Sequence, residues 1–461
     1  MAHIIVKNGR IVTHYGVFEA NIAIEDGVIS SISRSISEGA EKVIDASGKL
    51  ALPGGIDGHT HFQLNYNGTM TADDFYTGTV AAACGGITTV IDFVTPSGNS
   101  YVVDFQNRLG EALGKAVVDF GLHQIVSRLS GDSFLELEKL VREYGIASFK
   151  VFTAYRKRGL MLDDGSIYKL MHRCREMGVL ILAHCENEDM ISRLVEDYLS
   201  KGMVNPIYHR LSRPDYVEAE AVRRLGMMAE LTGASFLVVH LSSAMGLDAV
   251  RELKERGVKI MAETCPHYLV FTDEIYKRSD GAKYLMSPPL KSERDRQALW
   301  EGLYDGSIDV VGSDHACFNA SQKLSHERFT EIPGGVQGVE NIIPILYSIG
   351  VRNKLISLER LVALTSYNPA RAYGLYPSKG CIMPGCDADL IILDPEKRVK
   401  LDRDSLHSNL DHSIYEEIEV TGYVQHTISR GRHIVEDGEF IGGKGGGRYI
   451  QRKTYQQLKN P

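Results

Sequence analysis

The sequence has no CxxC pair, no sustained basic stripe, and no apolar run of the ~18 residues that a membrane-spanning helix needs. Each absence closes a class of function. The seven cysteines (Cys84, Cys174, Cys185, Cys265, Cys317, Cys381 and Cys386) are odd in number and scattered over 461 residues. That is a pattern of reduced thiols rather than a disulfide framework. The opening stretch, MAHIIVKNGRIV, holds neither the apolar segment nor the small-residue cleavage site of a secretory signal. Together these predict a cytoplasmic setting. Lysine and arginine total 51 against 59 aspartate and glutamate, a net charge of −8, so neither nucleic acid nor a membrane is an expected partner. No GxGxxG or Walker-type loop follows an apolar run, which counts against a doubly wound nucleotide-binding sheet. Apolar residues at 43% and charged residues at 24% exclude disorder, collagen and coiled coil as the main theme.

What is present changes texture twice along the chain. The first ~50 residues alternate apolar and polar and turn often. HIIVKNGRIV, ANIAIEDGVISSIS and KVIDASGKLAL read as strands, with turns at Asn8-Gly9, Asp26-Gly27 and Ser47-Gly48. DADLIILDP and HTISRGRHIVEDGEFI repeat that texture near the other end. The N-terminal meander is too short for a core of its own. Residues 1–52 and 378–445 are therefore expected to share one small β-sandwich domain, with 446–461 a basic, solvated tail. Between them, residues 53–377 alternate short Val/Ile/Phe-rich runs (ITTVIDFV, IASFKVFT, VLILAH, FLVVHLS, IDVVGSD) with helical stretches, most of them ending at Gly. Counting LALPGGIDGHTHF as the first strand gives eight β-α units. The α/β fold predicted is a (β/α)8 TIM-like barrel.

In such a barrel the active site lies at the C-terminal strand ends, and there the otherwise apolar runs turn polar. The first ends in His59-Thr60-His61, the fourth in Phe149-Lys150-Val151, the fifth in His184, the sixth in His240 and the eighth in Asp314. His59 and His61, two apart on a strand, face the same way. A pair at that spacing suits a metal that takes nitrogen ligands. One histidine at a strand end is more often a hydrogen-bonded core residue, but four histidines and an aspartate on four strands fit a metal site better. Lys150 sits in an apolar run, where a free ammonium is costly to bury. It either snorkels to the rim or pairs with Asp314, or else CO2 carboxylates its amine and makes it an anionic bridge for two metals.

The segments IDGHTHF, TADDFYTGT, SFKVFTAY, LAHCEN, HRLSRPDYVEAEA, VVHLSS, ETCPHYL, MSPPL and GSDHACF stand in this order, and through them the sequence resembles the cyclic amidohydrolases, the dihydropyrimidinase and D-hydantoinase family in particular. The resemblance covers nearly the whole chain. It implies a barrel with a β-sandwich from both termini, a homotetramer with a dimer as the alternative, and two Zn2+ per subunit, other divalent metals being possible. His59, His61 and Asp314 would hold one ion, His184 and His240 the other, and carboxylated Lys150 would bridge them. Tyr155 would hydrogen-bond the substrate carbonyl. Ser287 would contact the ring amide through its backbone, as would Gly334, which stands where the family has Asn. The implied reaction is hydrolytic opening of dihydropyrimidines and 5-substituted hydantoins to N-carbamoyl amino acids by a metal-bridging hydroxide, with Asp314 carrying the proton.

Among rivals, dihydroorotase places an Arg just after the HxH pair, where this chain has Gln63. Allantoinase shares the metal ligands. Deaminases of the wider superfamily work with one metal and without the strand-four lysine. Non-catalytic scaffolds similar to dihydropyrimidinase lack ligands that this chain has. His267 is expected to make structural hydrogen bonds, His315 to point away from the metals, Arg213 to be structural or part of an interface, and Cys185 and Cys317 to stand by without ligating.

Overall fold

The computed structural model describes residues 2–36, 39–66, 68–98 and 100–454. The N-terminal strands are β1 (Ala2–Thr13), β2 (Gly16–Glu25), β3 (Val28–Ser33), β4 (Ala40–Asp45) and β5 (Leu50–Pro53). The chain then enters the barrel with β6 (Gly55–Thr60), forms a small hairpin from β7 (Asn65–Tyr66) and β8 (Thr69–Met70), and continues with β9 (Ile87–Val94), β10 (Asp119–Ile125), β11 (Ser148–Phe152) and β12 (Leu180–His184). The barrel ends with β13 (Phe236–Val238), β14 (Ile260–Thr264) and β15 (Val310–Val311). The C-terminal strands are β16 (Leu390–Lys400), β17 (Glu419–Ser429), β18 (Arg432–Glu436) and β19 (Glu439–Phe440).

Strands from both ends share one nine-stranded sheet, in which β5 pairs with β16 from Leu50↔Leu393 to Pro53↔Leu390. That sheet has its own core, including Ile4, Val6, Ile22, Ile24, Leu390 and Ile428. The second sheet is the barrel, eight parallel strands in the order β15-β14-β13-β12-β11-β10-β9-β6. Its strands read as continuous apolar runs because both faces are covered; every residue of β9 and β12 is buried. The edges meet where His61 donates its backbone N–H to the carbonyl of His315 at 2.9 Å and Thr60 bridges His315. Gly145, Gly178, Gly233 and Gly306 end their helices in the left-handed conformation, as C-caps do.

Three expectations change. LALPGGIDGHTHF is not one strand: β5 belongs to the terminal sheet and β6 to the barrel, with the crossing at Gly54. A Cβ on Gly54 would lie 2.2 Å from Thr88 Oγ1, so only glycine allows the two sheets to approach there. The tail, as far as Thr454, is not a solvated arm. Ile450 donates to the Phe120 carbonyl at 2.8 Å, and Arg452, buried, donates to the Leu122 carbonyl at 2.6 Å and to Ser148 Oγ at 2.9 Å. The guanidinium satisfies backbone that would otherwise be buried unpaired. Residues 455–461 lie outside the described residues. Finally, Cys381 and Cys386 form a disulfide, because the loop between them brings their Cα atoms to 6.7 Å. The other five cysteines are free and buried.

Candidate active site

Five barrel segments deliver the polar set to one pocket. The lining includes His59, His61, Lys150, His184, His240 and Asp314, together with Tyr155, Ser287 and Gly334. All nine residues singled out from the sequence therefore share one cavity. His59 Nε2 lies 3.2 Å and His61 Nε2 3.3 Å from the same atom, Asp314 Oδ1. On the other side His184 Nδ1 lies 3.0 Å from His240 Nε2. The two groups adjoin, with the His59 and His240 ring centroids 5.4 Å apart. Lys150 is 1% exposed. Its Nζ lies 5.3 Å from the Phe93 ring centre and 5.1 Å from that of Phe152. Among the described residues no carboxylate comes within ion-pair distance of it, so it neither snorkels out nor pairs with Asp314.

Hydrogen bonding shows that the donor set is short of cations. His59 Nδ1 faces Glu263 Oε1 at 2.6 Å. A neutral His59 donates there, which leaves its Nε2 lone pair aimed at the Asp314 carboxylate. His184 Nε2 faces Glu186 Oε2 at 2.8 Å, so its Nδ1 lone pair is turned toward His240. His240 Nδ1 is buried and has no hydrogen-bond partner among the described residues. Burial pushes the pKa values of His61, His184 and His240 down, favouring the neutral form that ligates. Two ligands about 2.1 Å from a tetrahedral zinc stand roughly 3.4 Å apart, close to the separations found on both sides. His59, His61 and Asp314 form a group that fits a divalent ion, and the His184/His240 pair adjoins it with two more nitrogen donors.

The carboxylates behind the histidines escaped the sequence reading. Glu263 and Glu186 are wholly buried. Glu263 also accepts the His240 backbone N–H at 3.2 Å and the Tyr373 hydroxyl at 3.2 Å. Asp57 accepts the backbone N–H groups of His59 and Ser313 at 3.0 and 3.1 Å, tying the first strand to the last. The available signal was an acid at or near the end of an apolar strand, as in LAHCEN and MAETC. Arg213 is structural in a particular sense: its Nη1 donates to His209 Nδ1 at 3.1 Å and its Nε lies 3.6 Å from Glu186 Oε1. His209 Nε2 in turn reaches the Met286 carbonyl at 2.8 Å and Ser287 Oγ at 3.1 Å. One buried chain of polar groups thus runs from His184 to the pocket wall at Ser287.

His315 turns to Asp73 Oδ2 at 3.0 Å and to Cys317 Sγ at 3.3 Å, outside the cavity. His267 does not make the structural hydrogen bonds expected of it. Both of its ring nitrogens are buried without partners, and its ring packs at 4.2 Å on Tyr268 where the chain leaves β14 through Pro266. Backbone strain collects at this rim. Gln63, Tyr155, His240 and Asp314 have φ of 48°, 68°, 42° and 48°, a left-handed conformation that costs a non-glycine residue roughly 1–2 kcal/mol. Tyr155 is held by its N–H to Glu188 Oε2 at 2.8 Å, and its ring lies 4.8 Å from that of His184. Burial first, then Glu186, raises the pKa of its hydroxyl, which stays a proton donor. Gly334 has open space beside it: a Cβ there would meet nothing nearer than the Tyr66 hydroxyl at 3.7 Å.

Comparison with known proteins places this geometry. The model of the Amidohydrolase family matches residues 50–434. A D-hydantoinase of Geobacillus stearothermophilus is 39% identical over 98% of this chain and 97% of its own. A D-phenylhydantoinase of Escherichia coli O1:K1 / APEC is 38% identical over 98% of both chains. The crystal structure of a dihydropyrimidinase from Brevibacillus agri NCHU1002 superposes with a TM-score of 0.96 at 38% identity, covering 98% of this chain and 99% of that one.

Proposed function

The chain belongs to the amidohydrolase family, and from that premise we propose that it opens dihydropyrimidines and 5-substituted hydantoins by hydrolysis, releasing N-carbamoyl amino acids. The observation that carries this reading is the pair of ligand groups, His59/His61/Asp314 and His184/His240, on either side of an unpaired buried Lys150. His59, His61 and Asp314 would hold one zinc ion and His184 and His240 the second. Lys150, carboxylated by CO2, would give one oxygen to each. Bound there, the ions would acidify water and polarise the amide carbonyl. The chain supplies the rest. Asp314 takes the proton of the attacking water and returns it to the ring nitrogen as the C–N bond breaks. Tyr155 donates its hydroxyl hydrogen to the carbonyl oxygen as charge grows there. Ser287 and Gly334 orient the ring amide through their backbones, and Leu64, Phe152, Leu160 and Met286 give the cavity apolar walls.

Tyr155→Phe is expected to lower kcat on hydantoins by about 10²-fold, the scale of one lost oxyanion donor, with zinc per chain unchanged by elemental analysis. Loss of zinc as well would move Tyr155 into the metal shell. The reading as a whole is tested by measuring metal in protein purified without added metal and assaying dihydrouracil, hydantoin, 5-phenylhydantoin, allantoin and dihydroorotate. About two ions per chain, with opening of the first three rings, supports it. No metal and no turnover, even after zinc and bicarbonate are supplied, would leave a non-catalytic scaffold. Preference for allantoin would make the chain an allantoinase. Gln63 offers dihydroorotate no guanidinium after the HxH pair; its Oε1 faces Lys115 Nζ at 3.3 Å.

A cytoplasmic homotetramer belongs to the same proposal. Tyr216, Met227 and Leu231 are exposed along the helix Asp215–Thr232, with Met190 beside them. An apolar stripe of this kind supports contact with a second copy. Among the described residues no helix is long and apolar enough to cross a membrane.

A further inference from the structure

The segment that follows β11 carries three consecutive basic residues, Arg156, Lys157 and Arg158, in a single turn of 3-10 helix beside the pocket. Arg156 faces outward and pairs with Asp189 at 2.7 Å. Arg158 differs. It is half-buried and lines the cavity. Its guanidinium carbon lies 4.2 Å from the centre of the Tyr66 ring and 5.3 Å from that of Tyr155. Among the described residues no carboxylate lies within ion-pair distance of it and no acceptor takes its side-chain N–H groups. Arg108, Arg173, Arg210, Arg224 and Arg430, by contrast, each rest on a carboxylate.

Aromatic rings hold the face of a guanidinium and leave its edge free. That edge carries the coplanar N–H groups that match a carboxylate two at a time. The rest of the outer wall (Leu64, Ile125, Phe152, Leu160, Met286) is apolar except for Thr95 and the Tyr66 hydroxyl, which are neutral, and the inner polar groups are those assigned to metal and ring. Among the described lining residues, an anionic ring substituent therefore has one cationic partner not already assigned, Arg158. We propose that Arg158 selects cyclic amides whose ring substituent ends in a carboxylate, so that the product is an N-carbamoyl dicarboxylic amino acid. This rests on the ring-opening reading above. Because Arg158 stacks on Tyr155 rather than on the metal ligands, the carboxylate is expected on a tether of one or two methylenes and not on the ring itself.

The test uses the metal-loaded enzyme, with unsubstituted hydantoin, the 5-carboxymethyl and 5-carboxyethyl hydantoins, the carboxamide that matches the latter, 5-phenylhydantoin and dihydroorotate. The expected kcat/KM for the carboxyethyl ring exceeds that for its carboxamide by about 10- to 100-fold, the scale of a charge-assisted pair. That ratio is expected to collapse toward one in Arg158→Gln, chiefly through KM, and to survive in part in Arg158→Lys. Calorimetric binding of the dicarboxylic product is expected to weaken in Arg158→Gln by a similar factor. A ratio unchanged in Arg158→Gln, or an equal fall for both substrates, would make Arg158 a wall residue and overturn the inference. Preference for dihydroorotate over the tethered acids would overturn it too. Opening of unsubstituted hydantoin with no carboxylate preference defeats the inference and leaves the ring-opening reading intact. Failure on every ring defeats both.

Discussion

Lys150→Ala is expected to lose both bound metal ions and ring-opening activity together. Lys150 projects from the middle of β11, and not from its end as the sequence suggested, into the cavity lined by the four histidines and Asp314, with its Nζ over the Phe93 and Phe152 rings. An ammonium buried there loses more to desolvation than Asp314 and Glu263 return to it. Burial pushes its pKa down to about 8, so near neutral pH a share of the side chain is the free amine to which CO2 adds. The proposed carbamate would offer anionic oxygens to two histidine groups in which His59 Nε2 faces Asp314 and His184 Nδ1 faces His240. Without that bridge, five ligands remain for two ions, and zinc per chain is expected to fall well below two. Loss of kcat/KM by more than about 10³-fold follows if metal supplies most of the charge stabilisation. Removing a buried side chain also costs folding energy, on the order of 2–4 kcal/mol for a truncation of this size, so a melting curve must accompany the assay. Acetate or propionate fits the space left and offers the missing oxygens; partial return of both zinc and turnover with acid concentration is the signature expected. An alanine variant that keeps its metal and its activity would refute the carbamate.

The features that sequence resolved are those set by side-chain type at short range. Apolar runs ending in His, Lys or Asp marked the strand ends because parallel strands are buried on both faces and only their ends meet solvent or ligand. Glycine caps marked the helix ends because the left-handed conformation is nearly free only for glycine. What escaped depends on how distant segments meet. β5 and β6 read as one strand because nothing local tells that Thr88 will press on Gly54. Glu186 and Glu263 each sit within the range of a histidine motif, yet their task is defined by a ring whose orientation only the closed barrel fixes. Cys381 and Cys386 are five residues apart in a loop whose path brings their sulfurs together. Arg158 reads locally as one more charge in a basic triplet; its stacking on Tyr66 needs the β7–β8 hairpin to fold over it. Motif spacing thus reached the strand-end residues that share the cavity, the family resemblance supplied their proposed division between two ions, and both missed the carboxylates that aim the histidines and the residue assigned here to the substituent.

Asp314→Asn is expected to cost about 10²–10⁴-fold in kcat with KM changed by little, the range of a lost general acid-base group. The substitution keeps the shape of the side chain and its carbonyl oxygen, so ligation by His59 and His61 need not collapse, and zinc content is the control that shows whether it has. Asparagine has no lone pair basic enough to accept the proton of water and return it to the ring nitrogen. Burial alone would raise the Asp314 pKa, but positive charge at His59 and His61, both within 3.3 Å of Oδ1, pulls its carboxyl well below the usual carboxylate range, and a cation held by the neutral rings would act in the same direction. The native residue therefore stays ionised as pH falls through the range where carboxylates ordinarily titrate. Any acid limb in the pH profile of kcat above about pH 4 must belong to another group. The left-handed backbone at Asp314, φ 48°, turns Oδ1 toward both histidines, and asparagine tolerates that conformation as readily as aspartate, so strain is not a competing cause. A raised KM with kcat intact would assign Asp314 to substrate or metal binding alone and remove it from proton transfer.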